Sequence, residues 1–178
     1  KFIKYRNQSL DDAYLGNDYS TKEIKEELDK FKLKYDYYDQ IEKKIAELIA
    51  RGKVVARFND KMEYGPRALG NRSILYHTKD PKVNDWLNKR LKRTEFMPFA
   101  PATLYYYKDK CYSNVKGAEH PAKFMTITFD CTEYMKKTSP AAVHIDGTAR
   151  PQLVQEKINP SFYKIIKEYH KMTGIPSI

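Results

Sequence analysis

Ile41-Glu42-Lys43-Lys44-Ile45-Ala46-Glu47-Leu48-Ile49-Ala50-Arg51-Gly52-Lys53-Val54-Val55-Ala56-Arg57-Phe58 decides the fold class. Ile41, Ile45, Leu48 and Ile49 recur every three or four residues, which puts them on one helical face and predicts a helix from about Tyr37 to Arg51. Gly52 stands where a left-handed residue ends such a helix. Lys53 to Phe58 is short and rich in β-formers, so it is expected as a strand. A helix, a glycine turn and a strand in succession mark an α/β (α+β) fold.

The same reading extends in both directions. The first ~20 residues are polar and without a sustained period, and are expected to be a linker or extended arm (1–20). Ser20 followed three residues later by Glu23 predicts a capping box and a helix over about 21–31. Pro81 opens a further helix whose apolar side would carry Val83, Trp86, Leu87 and Leu91. Pro98-Phe99-Ala100-Pro101 is expected to be extended and buried, leading into a strand. Phe124–Phe129 and Ala141–Ile145 read as strands. A last helix begins near Asn159-Pro160-Ser161, buries Phe162, Ile165, Ile166 and Tyr169, and ends at Thr173-Gly174. Ile175-Pro176-Ser177-Ile178 reads as the start of a strand.

With 178 residues, 41% hydrophobic and 15 Tyr, the chain has material for one buried domain and is unlike a disordered tail. Its formal charge of +10 suits anionic partners, and equally suits lysines that merely solvate helix faces. Cys111 and Cys131 lack metal-ligand spacing and are expected as buried free thiols. No apolar run approaches the ~20 residues of a membrane span and no signal peptide is visible, so a cytoplasmic location is expected.

Three segments have the residues for chemistry. In Gly65-Pro66-Arg67-Ala68-Leu69-Gly70-Asn71-Arg72-Ser73, glycines permit close backbone approach and turn amides can form an anion nest. Arg67 and Arg72 would add planar, permanently charged forks for phosphate or carboxylate oxygens. The alternative is a tight turn whose arginines pair with Glu63 and Asp60. Lys89 to Arg93 is a basic helix end, which complements a helix dipole whether or not it binds a ligand. His144-Ile145-Asp146-Gly147-Thr148-Ala149-Arg150 offers too few ligands for a metal site, and a turn presenting Thr148 and Arg150 is the more natural reading. Phosphate-binding loops of the Gly-rich Lys-Ser/Thr type, dinucleotide glycine fingerprints, nucleophile elbows and kinase motifs are all missing from the sequence.

Taken in order, Gly65–Leu75, Arg93–Pro101 and Asp146–Gln152 resemble the carboxyl-terminal domain of the carbamoyltransferase family, which includes the nodulation protein U type O-carbamoyltransferases. The resemblance implies a YrdC-like domain with a twisted mixed β-sheet and flanking helices, spanning 21–178 and shortened at its end. It implies ATP and carbamoyl phosphate as ligands, with Mg²⁺ on the triphosphate and carbamoyl-adenylate as product. An amino-terminal domain would carry its own metal and transfer the carbamoyl group to a hydroxyl. On this resemblance Arg67, Arg72 and Arg150 grip phosphate and carbamoyl-phosphate oxygens. Lys92, Arg93, Asn71, Ser73 and Thr148 support nucleotide binding. Met97 stands where many relatives have Arg. The resemblance implies neither a membrane nor a nucleic acid as partner. Two alternatives remain from the residues alone. One is a non-catalytic nucleic-acid binder, suited by the +10 charge, residues 89–93 and the tyrosines; the other is a structural domain docking on its missing half.

Overall fold

A computed structural model describes residues 10–90, 92 and 99–178. Residues 1–9 of the expected arm, Leu91, Arg93 and Thr94 to Pro98 lie outside the described residues.

Helices and short strands interleave, as the α/β reading expects. Helix α1 spans Thr21–Lys30, and its capping box forms: the Ser20 side chain accepts from the Glu23 N–H while Glu23 accepts from the Ser20 N–H. Helix α2 spans Ile41–Ala50, with Ile45, Ala46 and Ile49 buried and Ile41 left exposed at its first turn. Gly52 ends α2 as foreseen: at φ 72 it donates to Ile49 O, and Lys53 donates to Leu48 O. Strands β1 (Val55–Phe58) and β2 (Arg72–Leu75) then pair antiparallel, with Arg57 opposite Ser73.

Helix α3 spans Lys82–Arg90. Val83 and Leu87, four apart, face inward; Trp86 does not, being 51% exposed with the Arg90 guanidinium above its ring. The expected four-residue stripe is therefore narrower. Strand β3 (Ala102–Leu104) follows Pro101 and runs parallel to β6 (Gln152–Val154). The chain end is strand-like: Ala102 and Ile178 exchange N–H···O bonds, Leu104 donates to Pro176 O, and Ser177 bridges Thr103. Short helices α4 (Lys108–Cys111), α5 (Glu119–Ala122) and α6 (Glu133–Thr138) surround the antiparallel pair β4 (Phe129–Asp130) and β5 (Thr148–Ala149). Among the described residues the strands thus form three two-stranded sheets of mixed direction rather than one continuous sheet.

Two of the expected strands are mostly something else. Phe124 and Thr126 donate to Pro121 O, and Met125 sits at φ 53, so the segment turns before pairing at Phe129. Pro140–Ala142 is a 3-10 turn, after which His144 donates to Thr148 O to close a tight loop.

Helix α7, Pro160–Thr173, holds the main core together. Asn159 caps it by accepting from Phe162 N–H at 3.0 Å, and Gly174 (φ 74) ends it. Phe162, Ile165, Ile166 and Tyr169 are buried against α2, β2, β3, β6 and the tail. Burying such side chains is worth ~1.5–3 kcal/mol each, so α7 is the largest single contributor to this core. A second cluster, containing Cys111, Tyr112, Phe129, Cys131, Met135 and Leu153, packs on the other side of β6. Both cysteines are free and buried, as expected.

Candidate functional site

Residues 59–71 connect β1 to β2, and one buried carboxylate organises them. Glu63 Oε1 accepts the Leu69 N–H at 2.8 Å and the Asn71 N–H at 2.6 Å, and both its oxygens receive the Arg72 N–H at 3.1 Å. The anion nest foreseen in this loop exists, and the chain's own Glu63 fills it. Gly70 sits between two further anchors: its N–H donates to Ser73 Oγ at 2.9 Å, and its carbonyl accepts from Arg57 Nε at 2.7 Å. Asn71 donates to Lys61 O and accepts from the Asn159 side chain at 2.9 Å, tying the loop to the start of α7. Residues 10–17 dock on the outside of the loop. Gly16 donates to Met62 O, Tyr64 donates to Ala13 O, and Tyr14 OH donates to Leu69 O.

Between this loop, β2, α3 and residues 150–152 lies a cleft of about 250 Å³. Arg67 enters from the loop and Arg150 from the residue after β5, with His77 also on the wall. No Asp or Glu lines it among the described residues. The remaining wall is mainly apolar, from Leu75, Val83, Leu87, Phe99, Met125 and Phe162. A concave, mostly apolar site with a few convergent charged groups of one sign fits a small anionic ligand with a flat or apolar body. Arg67 is exposed and forms no hydrogen bond or ion pair among the described residues, which leaves its guanidinium available to such an anion.

The family model described as the carbamoyltransferase C-terminus matches residues 46–178, which include the loop, the cleft and both arginines. The chain belongs to the carbamoyltransferase family. An uncharacterized protein of Methanocaldococcus jannaschii is 41% identical to it over 94% of this chain and 28% of that protein. Nodulation protein NolNO of Sinorhizobium fredii is 31% identical over 95% of this chain and 25% of its own length. Nodulation protein U of Rhizobium tropici is 33% identical over 74% and 22%. The chain spans about a quarter of the length of these relatives.

Within this carbamoyltransferase domain, the site residues expected from sequence divide into two groups. Arg67, Arg150 and Ser73 line one cleft, although Arg67 and Arg150 are 83 positions apart in sequence. Arg72, Asn71 and Thr148 do not line it. Arg72 stacks 3.6 Å above the Phe58 ring and donates to the carbonyls of Asn59 and Asn71, which holds the loop rather than a ligand. Asn71 spends its amide on Lys61 and Asn159. Thr148 donates to Asp146 Oδ1 through both its N–H and its hydroxyl, closing the Asp146-Gly147 turn. Lys92 is exposed at φ 53 just beyond α3, away from the cleft lining. Arg93 lies outside the described residues. The open alternative in which Arg67 and Arg72 pair with Glu63 and Asp60 is not what forms: Glu63 takes backbone amides instead. Sequence reading missed Arg57, Glu63 and Gln152 as organisers. Of these only Arg57 gave a signal, as a lone charge in the β-rich run with Val54, Val55 and Phe58.

Burial sets the titration of the groups around the site. It pushes Arg57 below the usual guanidinium range, against the upward pull of Glu42, Tyr14 and Glu63. It raises Cys111 to about 12 and Cys131 to about 11, so neither thiol is an available nucleophile at neutral pH. His77, His144 and His170 are all lowered, with desolvation the first cause in each. Between the lowered folded value and the ordinary 6.5, the unfolded chain binds more protons than the folded one, so stability rises with pH there. Folding stability is therefore expected to be fully present above about pH 6.5 and to fall as pH drops through and below it. Urea unfolding at pH 7.5, 6.5 and 5.5 measures this, and a flat series would show that these histidines do not resist protonation.

Proposed function

We propose that this chain is the carboxyl-side domain of an ATP-dependent O-carbamoyltransferase. In this reading it binds ATP and carbamoyl phosphate in the Arg67–Arg150 cleft and forms carbamoyl-adenylate, which another part of a longer protein passes to a hydroxyl acceptor. One observation carries the reading: two arginines from distant motifs meet in a cleft that no carboxylate lines among the described residues. Two polyanions repel each other, and fixed guanidinium charge in a partly dry site offsets that repulsion without reorganising. The apolar wall suits a base, and the Gly-Arg loop, held by Glu63 and Arg57, keeps Arg67 in place. Family membership supports transferase chemistry and leaves the ligands to experiment. Among the described residues no three His, Cys, Asp or Glu side chains are placed to hold a metal. In this reading Mg²⁺ arrives on the triphosphate. The cytoplasm, where ATP is abundant, is the matching location. Among the described residues no helix is long and apolar enough to cross a membrane.

Calorimetric titration with Mg-ATP, with and without carbamoyl phosphate, tests the proposal beside Arg67→Ala. Saturable binding weakened about tenfold or more by the substitution is expected, the scale of a lost charge-assisted hydrogen bond. Equal binding by Arg67→Ala would remove the cleft from the nucleotide site. Salt-steep binding of RNA without preference for a nucleotide would favour the nucleic-acid alternative.

A further inference from the structure

The β1–β2 sheet has a covered face and an open one. Val55, Arg57, Ser73 and Leu75 turn to the core side, while Val54, Ala56, Phe58 and Ile74 turn out, with Phe58 58% and Ile74 49% exposed. Strand β1 also has a free edge. The Asn59 N–H donates to Asn71 O, so by alternation the bonded pairs of the sheet fall at Arg57–Ser73 and Val55–Leu75. The N–H and C=O groups of Val54, Ala56 and Phe58 therefore point away from β2. The N–H of Arg72, opposite Phe58, is turned outward in the same way and goes to Glu63. Among the described residues no other segment bonds to the edge groups of β1. Unpaired strand amides beside exposed apolar side chains are a template for one more strand.

We propose that this edge pairs with the same edge of a second copy of the chain, antiparallel about a two-fold axis at Ala56, giving one sheet in the order β2-β1-β1-β2. The edge is self-complementary in that register. Val54 lies opposite the partner's Phe58 on the open face, Phe58 lies opposite the partner's Val54, and the small Ala56 side chains meet on the axis. Val54 also lines an open groove of about 440 Å³ with Tyr76 and Trp86, which gives the incoming phenyl ring an apolar seat. Charge agrees with the same pairing. It brings Lys53, at the start of β1, beside the partner's Asp60, just past the end of its strand. Arg72 rides on Phe58 and is carried toward the Asp80 that lines the partner groove. These local opposites matter because the +10 charge of the chain opposes the approach of two copies at long range. A strand from an unrelated protein would need none of this symmetry, so the second copy is the occupant that the edge fits. The proposal is independent of what binds in the Arg67–Arg150 cleft.

Light scattering of the 178-residue chain over a concentration series tests it, with Ala56→Lys and Ala56→Glu measured alone and mixed. The wild-type mass is expected to rise from 21.0 kDa toward twice that value. Each variant sets like charges against each other on the axis and should dimerise about fivefold more weakly. An equimolar mixture should recover the dimer, because the axis then carries opposite charges. Ala56 is exposed, so the urea midpoints of the monomers should match the wild type. Amide exchange should show protection at Ala56 and Phe58 that grows with concentration. A wild-type chain that stays at 21.0 kDa throughout overturns the proposal without recourse to a variant, and gives the edge to a strand of another protein or of a longer chain. A dimer that both variants leave untouched overturns it as well. So does a mixture that fails to recover, since either result puts the contact away from a two-fold axis at Ala56.

Discussion

Gly70→Ala is expected to destabilise the chain by about 3 kcal/mol or more, read as a lowered urea midpoint at unchanged slope. Two independent causes add. Gly70 holds φ +110, where a side chain is strained whatever room it has. There is also no room: a Cβ would stand 2.7 Å from Cγ and 2.8 Å from Cε1 of Phe162, with Cδ1 nearer still. Phe162 is 1% exposed in the first turn of α7 and cannot swing away without opening the main core. Nor can the glycine retreat, since Arg57 Nε holds its carbonyl and Ser73 Oγ its N–H. Phe162→Leu should relieve part of the clash, so the double variant should lose less than the sum of the singles. Gly65→Ala is the control: it shares φ +110 but a Cβ there meets nothing within 4 Å, so only the backbone cost of about 1 kcal/mol is expected. Equal losses at the two positions would mean that Phe162 does not set the loop. Because Gly70 and Phe162 both line the cleft, the same substitution should also weaken ligand binding.

The contrast between Gly70 and Gly65 also marks how far the sequence could be read. Helix ends were legible because each rests on a local bond: Ser20 with Glu23, Gly52 after α2, Asn159 and Gly174 around α7. The strand pattern misled at Phe124–Phe129, where the apolar residues are real but Pro121 O collects the amides that a sheet would use. Nothing in a period-two pattern reports that competition. Trp86 was misplaced because a two-residue inward stripe suffices for α3, leaving the ring to Arg90. At the site, the two arginines that converge were legible as residue types in motifs. Their meeting was not, because it depends on β6 lying beside β3 and on α7 pressing the loop from beneath. Arg67 and Arg72 have the same chemistry five residues apart, and only the fold sends one to the cleft and the other onto Phe58.

Glu63→Ala is expected to cost about 3–5 kcal/mol and to abolish ligand binding at concentrations where the wild type saturates, although Glu63 does not line the cleft. The carboxylate is 6% exposed and serves three backbone N–H groups within four residues. Its removal leaves donors of Leu69 and Asn71 buried with nothing to accept them, each costing about 1–3 kcal/mol unless the loop opens to water. Opening is the cheaper course, and it releases Gly70 from Arg57, Leu69 O from Gln152 and Tyr14, and Arg67 from its place on the cleft wall. Glu63→Gln keeps one acceptor oxygen but turns an NH₂ toward an N–H, so its loss should fall between wild type and Ala. Amide exchange separates this account from simple core damage. Protection should vanish first at Leu69, Asn71 and Arg72, while α7 amides stay protected. Uniform loss across α7 and the loop would mean that Glu63 supports the whole domain and not the loop in particular. Protection kept at residues 69–72 would show that the nest holds without its carboxylate and stands ready for an anion from outside.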